Sequence, residues 1–179
     1  MSKLKELTWA NHQKAERTEH ARKLLTGMSP REYHRYIYNQ YAQYAVLESR
    51  ATELGVLEGI EHIARAKNIS MDMVELEREH NIQRNVDLLC PVVARYTGHI
   101  MSLEEKDDLL AHIYVRHFGD MYGGQMIRKR NPGSGKMYDF ENVEELKTKV
   151  RSMLTDDMAD EANRCFEFAM QLFEELGEE

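Results

Sequence analysis

No window of this chain alternates apolar and polar residues as a strand would, and only three prolines and ten glycines punctuate its 179 residues. Apolar side chains recur instead at three- and four-residue spacing, which commits the chain to helices. The last is the plainest: Ala162, Cys165, Phe166, Ala169, Met170, Phe173 and Leu176 fall on one stripe. Ser29-Pro30-Arg31-Glu32 starts another, with an N-cap serine, proline at the first helical position and a glutamate completing a capping box. Tyr33, Ile37, Tyr41, Tyr44, Leu47, Ala51 and Leu54 carry that helix forward, and Gly55 closes it. A first helix is expected from Ser2 to about Leu25, burying Leu4, Leu7, Ala15 and Leu24 and ended by Gly27. Ile69 to Asn85 reads as a further helix, and Pro91 restarts one after Cys90. Ser102-Leu103-Glu104-Glu105 reads as a second capping box, Asn131 to Gly135 as a loop, and Asn142 as the cap of a short helix through Lys149. The expectation is an all-α single domain over residues 1–179, a bundle of about seven or eight helices.

The stretch from His112 to Arg130, HIYVRHFGDMYGGQMIRKR, is the one around which the rest is expected to be arranged. Ile113, Phe118, Met121, Met126 and Ile127 give it the apolar weight of a helix and no proline interrupts it, yet it carries Gly119, Gly123 and Gly124. Each glycine in a helix interior costs about 1 kcal/mol relative to alanine. A helix with three of them needs its backbone close to something, or needs to bend. Two readings stand. One is a tight helix–helix crossing at Gly119 and Gly123; the other is a glycine surface lying against a flat cofactor, with Asp120 as a polar group beside it.

Composition sets outer limits. A formal net charge of −7 gives no global positive field, which argues against nucleic acid as a partner. Cys90 and Cys165 are too few for a disulfide framework or a thiolate cluster, so a reduced, cytoplasmic setting is expected. The N-terminal MSKLKELTWANHQKAE is amphipathic and charged, unlike a secretory signal. No run approaches the ~18 apolar residues of a spanning helix. With the last helix reaching Glu179, no C-terminal membrane tail or other membrane anchor is expected.

The pattern GD-x-x-GGQ inside a helix, together with His12-Gln13-Lys14-Ala15-Glu16 near the N-terminus and EANRCFEFAMQLFEEL near the C-terminus, resembles the heme oxygenases. These matches come in the right order and span nearly the whole chain. The resemblance implies heme b, as both substrate and cofactor, held between a proximal helix and the distal glycine helix. His12 falls at the position of the iron ligand, and Glu16, four residues on and on the same face, is placed to take the other imidazole N–H. Lys147, Arg151 and Lys5 match basic positions that meet the heme propionates, and Tyr114 a tyrosine that reaches one of them. Gly119, Gly123 and Gly124 would let the helix backbone come close. Asp120 would hold the water that delivers a proton to the oxygen chemistry, with Arg116 and Tyr44 in the same network. Phe166 and Phe173 fit apolar walls, though both are equally good core residues. By residue type alone a solvated surface explains each cation better, and a solvated helix face explains His12 better. Three departures stand out: Trp9 where many members carry a lysine, Tyr122 in place of a small serine, and Ala169 in place of an asparagine. His20 is the next ligand to try if His12 fails. Cys90-Pro91 resembles a heme-regulatory dipeptide but lies in an apolar stretch, and reads as structure.

The resemblance implies oxidative opening of heme with O2 and electrons to biliverdin, CO and ferrous iron. No flavin or nicotinamide motif is present, since GDMYGG does not follow a strand, so electrons must come from an external donor. A small soluble donor such as ferredoxin is expected, with a reductase flavoprotein as the alternative, a bilin reductase downstream, and a monomeric chain. The rival readings are a non-catalytic heme carrier and a thiaminase-like member of the same fold, which binds no heme.

Overall fold

The computed structural model describes residues 2–178, and among them there are eight α-helices and no strand. They are α1 (Leu4–Glu16), α2 (Glu19–Thr26), α3 (Pro30–Glu53), α4 (Ala66–His80), α5 (Pro91–Ser102), α6 (Lys106–Arg130), α7 (Val143–Met153) and α8 (Ala159–Gly177). The strongest local signals place helices where expected. At the start of α3 both capping-box bonds form between Ser29 and Glu32, with Pro30 in the first turn. Pro91 opens α5, and α8 buries Ala162, Cys165, Phe166 and Leu172.

Four boundaries differ from the sequence reading. The single opening helix expected from Ser2 to Leu25 is two helices. Thr18 has an extended backbone (φ −66°, ψ 151°) and its side chain accepts the Ala21 N–H, so it caps a new helix instead of continuing the first. Leu4 and Leu24 are buried, but Leu7 is 50% exposed and Ala15 only partly covered. Asn81, in a left-handed conformation (φ 51°), ends α4 short of Asn85. The capping box expected at Ser102 does not form: Ser102 is the last residue of α5, its hydroxyl donates to the His99 carbonyl at 2.6 Å, and α6 begins at Lys106. Asn142 precedes α7 as expected, but in a left-handed conformation (φ 52°) and with no capping bond from its side chain.

The long α6, about 37 Å at 1.5 Å per residue, is the axis of the bundle. Leu109, Leu110, Ile113, Phe118 and Met121 on α6 share one core with Leu47 and Ala51 of α3 and Ala162 and Cys165 of α8. A second core joins Tyr33, Tyr36, Ile37 and Tyr44 of α3 to Ile69, Met73 and Leu76 of α4, closed by Met137 and Tyr138. Among the described residues no helix is long and apolar enough to cross a membrane.

Candidate functional site

The break at Thr18 decides where a groove can exist. Beyond it, α2 packs on both α6 and α8, whereas α1 takes its close packing from α8. The α2–α6 end is tightly tied. Asn131 donates to the Leu24 carbonyl at 2.8 Å and accepts from the Met28 N–H at 3.0 Å. Gly27 (φ +116°) lies so near that an added Cβ would stand 2.8 Å from the Arg130 carbonyl oxygen. At the other end Tyr114 of α6 lies against Thr8 of α1. Two chain segments of nearly equal length, 8–24 and 114–131, therefore run the same way between these ties. Counted along both segments from the Thr8–Tyr114 tie, His12 and Glu16 fall level with Phe118 and Tyr122.

On the α1 side, His12 is half exposed, and one ring nitrogen (Nε2) pairs with Glu16 Oε1 at 2.6 Å. Trp9 stacks on the imidazole, 5.1 Å between centroids and 10° between planes. Phe166 of α8 meets it edge-on at 5.8 Å and forms the floor beneath. The second ring nitrogen is left for a ligand.

On the α6 side the three glycines separate. No other atom lies within 4 Å of where a Cβ would stand on Gly119 or Gly123, so neither sits at a tight helix crossing. Gly124 does: its Cβ would fall 2.3 Å from the Tyr138 ring. Gly124 is therefore a packing glycine against Tyr138, not a groove residue as the sequence reading had it. Alanine substitution distinguishes them. Gly119→Ala should stabilise the fold by up to about 1 kcal/mol, the helix-propensity gain. Gly124→Ala should destabilise it, because Tyr138 is fully buried and overpacking of this kind costs about 1–3 kcal/mol. Thermal unfolding midpoints that shift in opposite directions for the two variants check this.

Beneath the glycines lies a buried polar assembly. The Tyr44 hydroxyl donates to Asp120 Oδ2. Burial pushes the Asp120 carboxyl up to about 6, and the bond from Tyr44 only partly offsets it. Arg116, one turn before Asp120, is buried and donates to the Tyr96 hydroxyl at 3.0 Å, Gln40 Oε1 at 3.1 Å and Gln43 Oε1 at 2.6 Å. His117 is bonded to Glu48 at 2.8 Å and stands edge-on to Tyr44. A carboxyl titrating near neutrality beside a fixed cation and a fixed phenol can hold and release a proton. Asp120, Arg116 and Tyr44 are thus brought together, and Gln40, Gln43 and Tyr96 join them. Their only trace in the sequence was polarity on otherwise apolar helix faces.

The basic residues gather at the Tyr114 end. Lys147 Nζ lies 3.9 Å from the centre of the Tyr122 ring, Arg151 is hydrogen-bonded to the Tyr122 hydroxyl, and Lys5 stands over Trp9. Tyr114, Phe118 and Tyr122, one turn apart on α6, form a ladder of rings with centroid distances of 5.5 and 5.9 Å. Tyr122, from sequence only a departure, touches both cations, and Lys147 also pairs with Glu144 at 3.7 Å. Tyr122 is also 57% exposed, so it can yield both cations to an anionic group.

Phe173 does not face His12. It stacks on His20 at 4.8 Å, and the Tyr36 ring packs against His20 at a tilt, 5.1 Å between centroids. Burial, reinforced by Lys23 against a weaker opposing pull from Glu32, lowers the His20 imidazole to about 4. A histidine held neutral in the fold contributes stability that is fully present above its unfolded value of about 6.5. That stability is lost as pH falls from 6.5 through 4, some 3 kcal/mol at 1.36 kcal/mol per unit. Replacing His20 with phenylalanine should therefore flatten the acid side of the stability profile, measured by denaturant unfolding at pH 7 and pH 4.5.

A family profile described as "Heme oxygenase" matches residues 1–175. The chain is 28% identical over 204 residues to "Heme oxygenase 2" of Macaca fascicularis, covering 97% of this chain and 64% of the relative, so it spans less than two thirds of that relative's length. It is 27% identical over 209 residues to "Heme oxygenase" of Porphyra purpurea, covering 98% and 85%. Its fold matches the crystal structure of heme oxygenase-1 from the cyanobacterium Synechocystis sp. PCC6803 in complex with heme, with a TM-score of 0.80 at 20% identity over 97% of this chain and 90% of that one.

Proposed function

The chain belongs to the heme oxygenase family, and from that premise we propose that the groove between α1 and α6 binds heme b and that the protein opens it to biliverdin, CO and ferrous iron. The observation that carries this reading is the pairing across the groove. A histidine with one free ring nitrogen stands on one side, and two glycines with open space at their Cβ positions stand on the other. The residues present fit the group. A flat macrocycle needs glycine-level clearance on one face, a ligand on the other, apolar contact at its rim and cations at its carboxylates. Gly119 and Gly123, His12, Trp9 and Phe166, and Lys5, Lys147 and Arg151 supply these in turn. Bound heme supplies the iron at which O2 is reduced and the ring that is broken.

The chain's own residues do the rest. Glu16 orients His12 through Nε2 and leaves the other ring nitrogen for the ligand. The α6 backbone, bare at Gly119 and Gly123, keeps side chains away from the reacting face. Asp120, held by Tyr44 and backed by Arg116, orders water there and passes a proton through it. O2 is the co-substrate, and electrons come from an external donor, with ferredoxin the expected one and a bilin reductase taking the product. A single domain, a monomeric state and a cytoplasmic setting complete the reading. Titrating the purified protein with hemin tests the groove: one hemin per chain with the spectrum of a histidine-ligated heme is expected. No uptake would favour the thiaminase-like alternative.

Lys147 and Arg151 set the in-plane rotation of the macrocycle, and so choose which meso carbon faces the oxygen. Replacing both with neutral residues is expected to weaken hemin binding and yield a mixture of biliverdin isomers on chromatography. A single unchanged isomer at undiminished affinity would make them surface charges beside Tyr122.

A further inference from the structure

A second cluster of ligating side chains lies outside the groove, where α5, α6 and α8 meet. His99, His112 and Glu161 come one from each of these helices, and their donor atoms all lie within 4.8 Å of one another. Glu161 Oε1 is 2.8 Å from His112 Nε2 and is also bonded to His99 Nε2. Both imidazoles therefore turn the same nitrogen toward one point. The His112 side chain is fully buried, while those of His99 and Glu161 keep 16% and 12% exposure, so the point is reachable from the surface. Nothing in the proposed heme chemistry uses His99 or Glu161.

We infer that His99, His112 and Glu161 form a binding site for a divalent transition-metal ion, with zinc the best match and water completing the coordination. Two imidazole nitrogens and one carboxylate oxygen suit a borderline ion such as zinc, whereas calcium and magnesium take oxygen ligands. Zinc bonds of about 2.0–2.2 Å need donors roughly 3.3 Å apart. From the present positions, in which all the donor atoms lie within 4.8 Å of one another, His99 and Glu161 at the more open side of the cluster must adjust to let the ion in. The buried ligand is already oriented as a metal-bound imidazole should be: His112 Nδ1 is 2.8 Å from the Tyr96 hydroxyl, the outer partner that fixes ring and tautomer. Local charge favours a cation. Asp108 lies beside both His112 and Glu161, while Arg164 stands 4.0 Å from Glu161 Oε2 and Arg116 is set back behind Tyr96. Because the ligands come from three helices, the ion clamps α5, α6 and α8 together. Tyr96 also receives the Arg116 Nε at 3.0 Å, so the clamp is two hydrogen bonds from the assembly around Asp120.

The test uses the full chain, heme-free and stripped of metal by chelation. Zinc chloride is titrated by calorimetry, and cobalt chloride by visible absorption. One ion per chain is expected, with a cobalt spectrum of a low-coordinate nitrogen and oxygen site and an unfolding midpoint that rises with zinc concentration. His99→Ala and Glu161→Gln should each weaken binding by at least about tenfold to a hundredfold, while His12→Ala leaves it unchanged. No stoichiometric binding, wild-type affinity in both ligand variants, or loss of binding in His12→Ala would overturn it. Should Glu161→Gln fail to fold, His99→Ala on the rim of the bundle and the cobalt spectrum of the unaltered chain decide.

Discussion

His12→Ala is expected to abolish the histidine-ligated heme spectrum and to lower hemin affinity by more than the roughly 10–100-fold that loss of an outer partner brings. The geometry gives the reason. Among the described residues, His12 is the histidine that pairs with a carboxylate one turn on, leaves a ring nitrogen free, and stands opposite the open glycines. Trp9 and Phe166 would still contact the macrocycle, so residual, spectrally altered binding is expected rather than none. Added imidazole should restore part of the wild-type spectrum by filling the space left. His20 is a poor substitute, buried against Phe173 and Tyr36 and held neutral there. Wild-type spectra from His12→Ala would move the ligand elsewhere.

Asp120→Ala should separate binding from turnover. The carboxyl is buried and tied to Tyr44, so removing it leaves His12, Trp9 and the glycine face intact. Hemin affinity and the histidine signature should stay near wild type, while bilin formation falls by about 10²–10⁴, the usual weight of positioned proton delivery. Asp120→Asn keeps the shape and a partner for Tyr44 but cannot exchange a proton at about 6 as the native group does. It should be impaired too, and should lose the part of the pH–rate profile that reports that group. Bilin yield per heme, measured beside the binding spectrum, checks both variants. Undiminished yield from Asp120→Ala would make Tyr122 or Arg116 the organiser of the water network.

Local chemistry in the sequence reached as far as local rules reach. Ser29-Pro30-x-Glu32 and Pro91 announced helix starts, and the α8 stripe was visible as a period. The four-residue step from His12 to Glu16 already implied a contact, and the contact is there. What stayed hidden depends on tertiary partners. Thr18 and Ser102 are both good capping residues, and only the surrounding packing makes one a cap and the other a helix end. Gly119, Gly123 and Gly124 look alike in a string; Tyr138, fourteen residues past the last of them, is what separates them. Tyr122 could be seen as a departure but not as the residue that touches both Lys147 and Arg151. His99, His112 and Glu161 have no motif spacing, because three helices assemble them.

The chain belongs to the family, and with heme proposed for the groove between α1 and α6 the central proposal is that this chain turns heme over and does not merely hold it. The direct measurement is a single-turnover reaction of the hemin complex with ferredoxin, its reductase, NADPH and O2, followed by absorption and product chromatography. The Soret band should decay as a biliverdin band rises, with CO released in step. A stable Soret band under the same electron supply, with no bilin formed, would contradict it and leave a heme carrier.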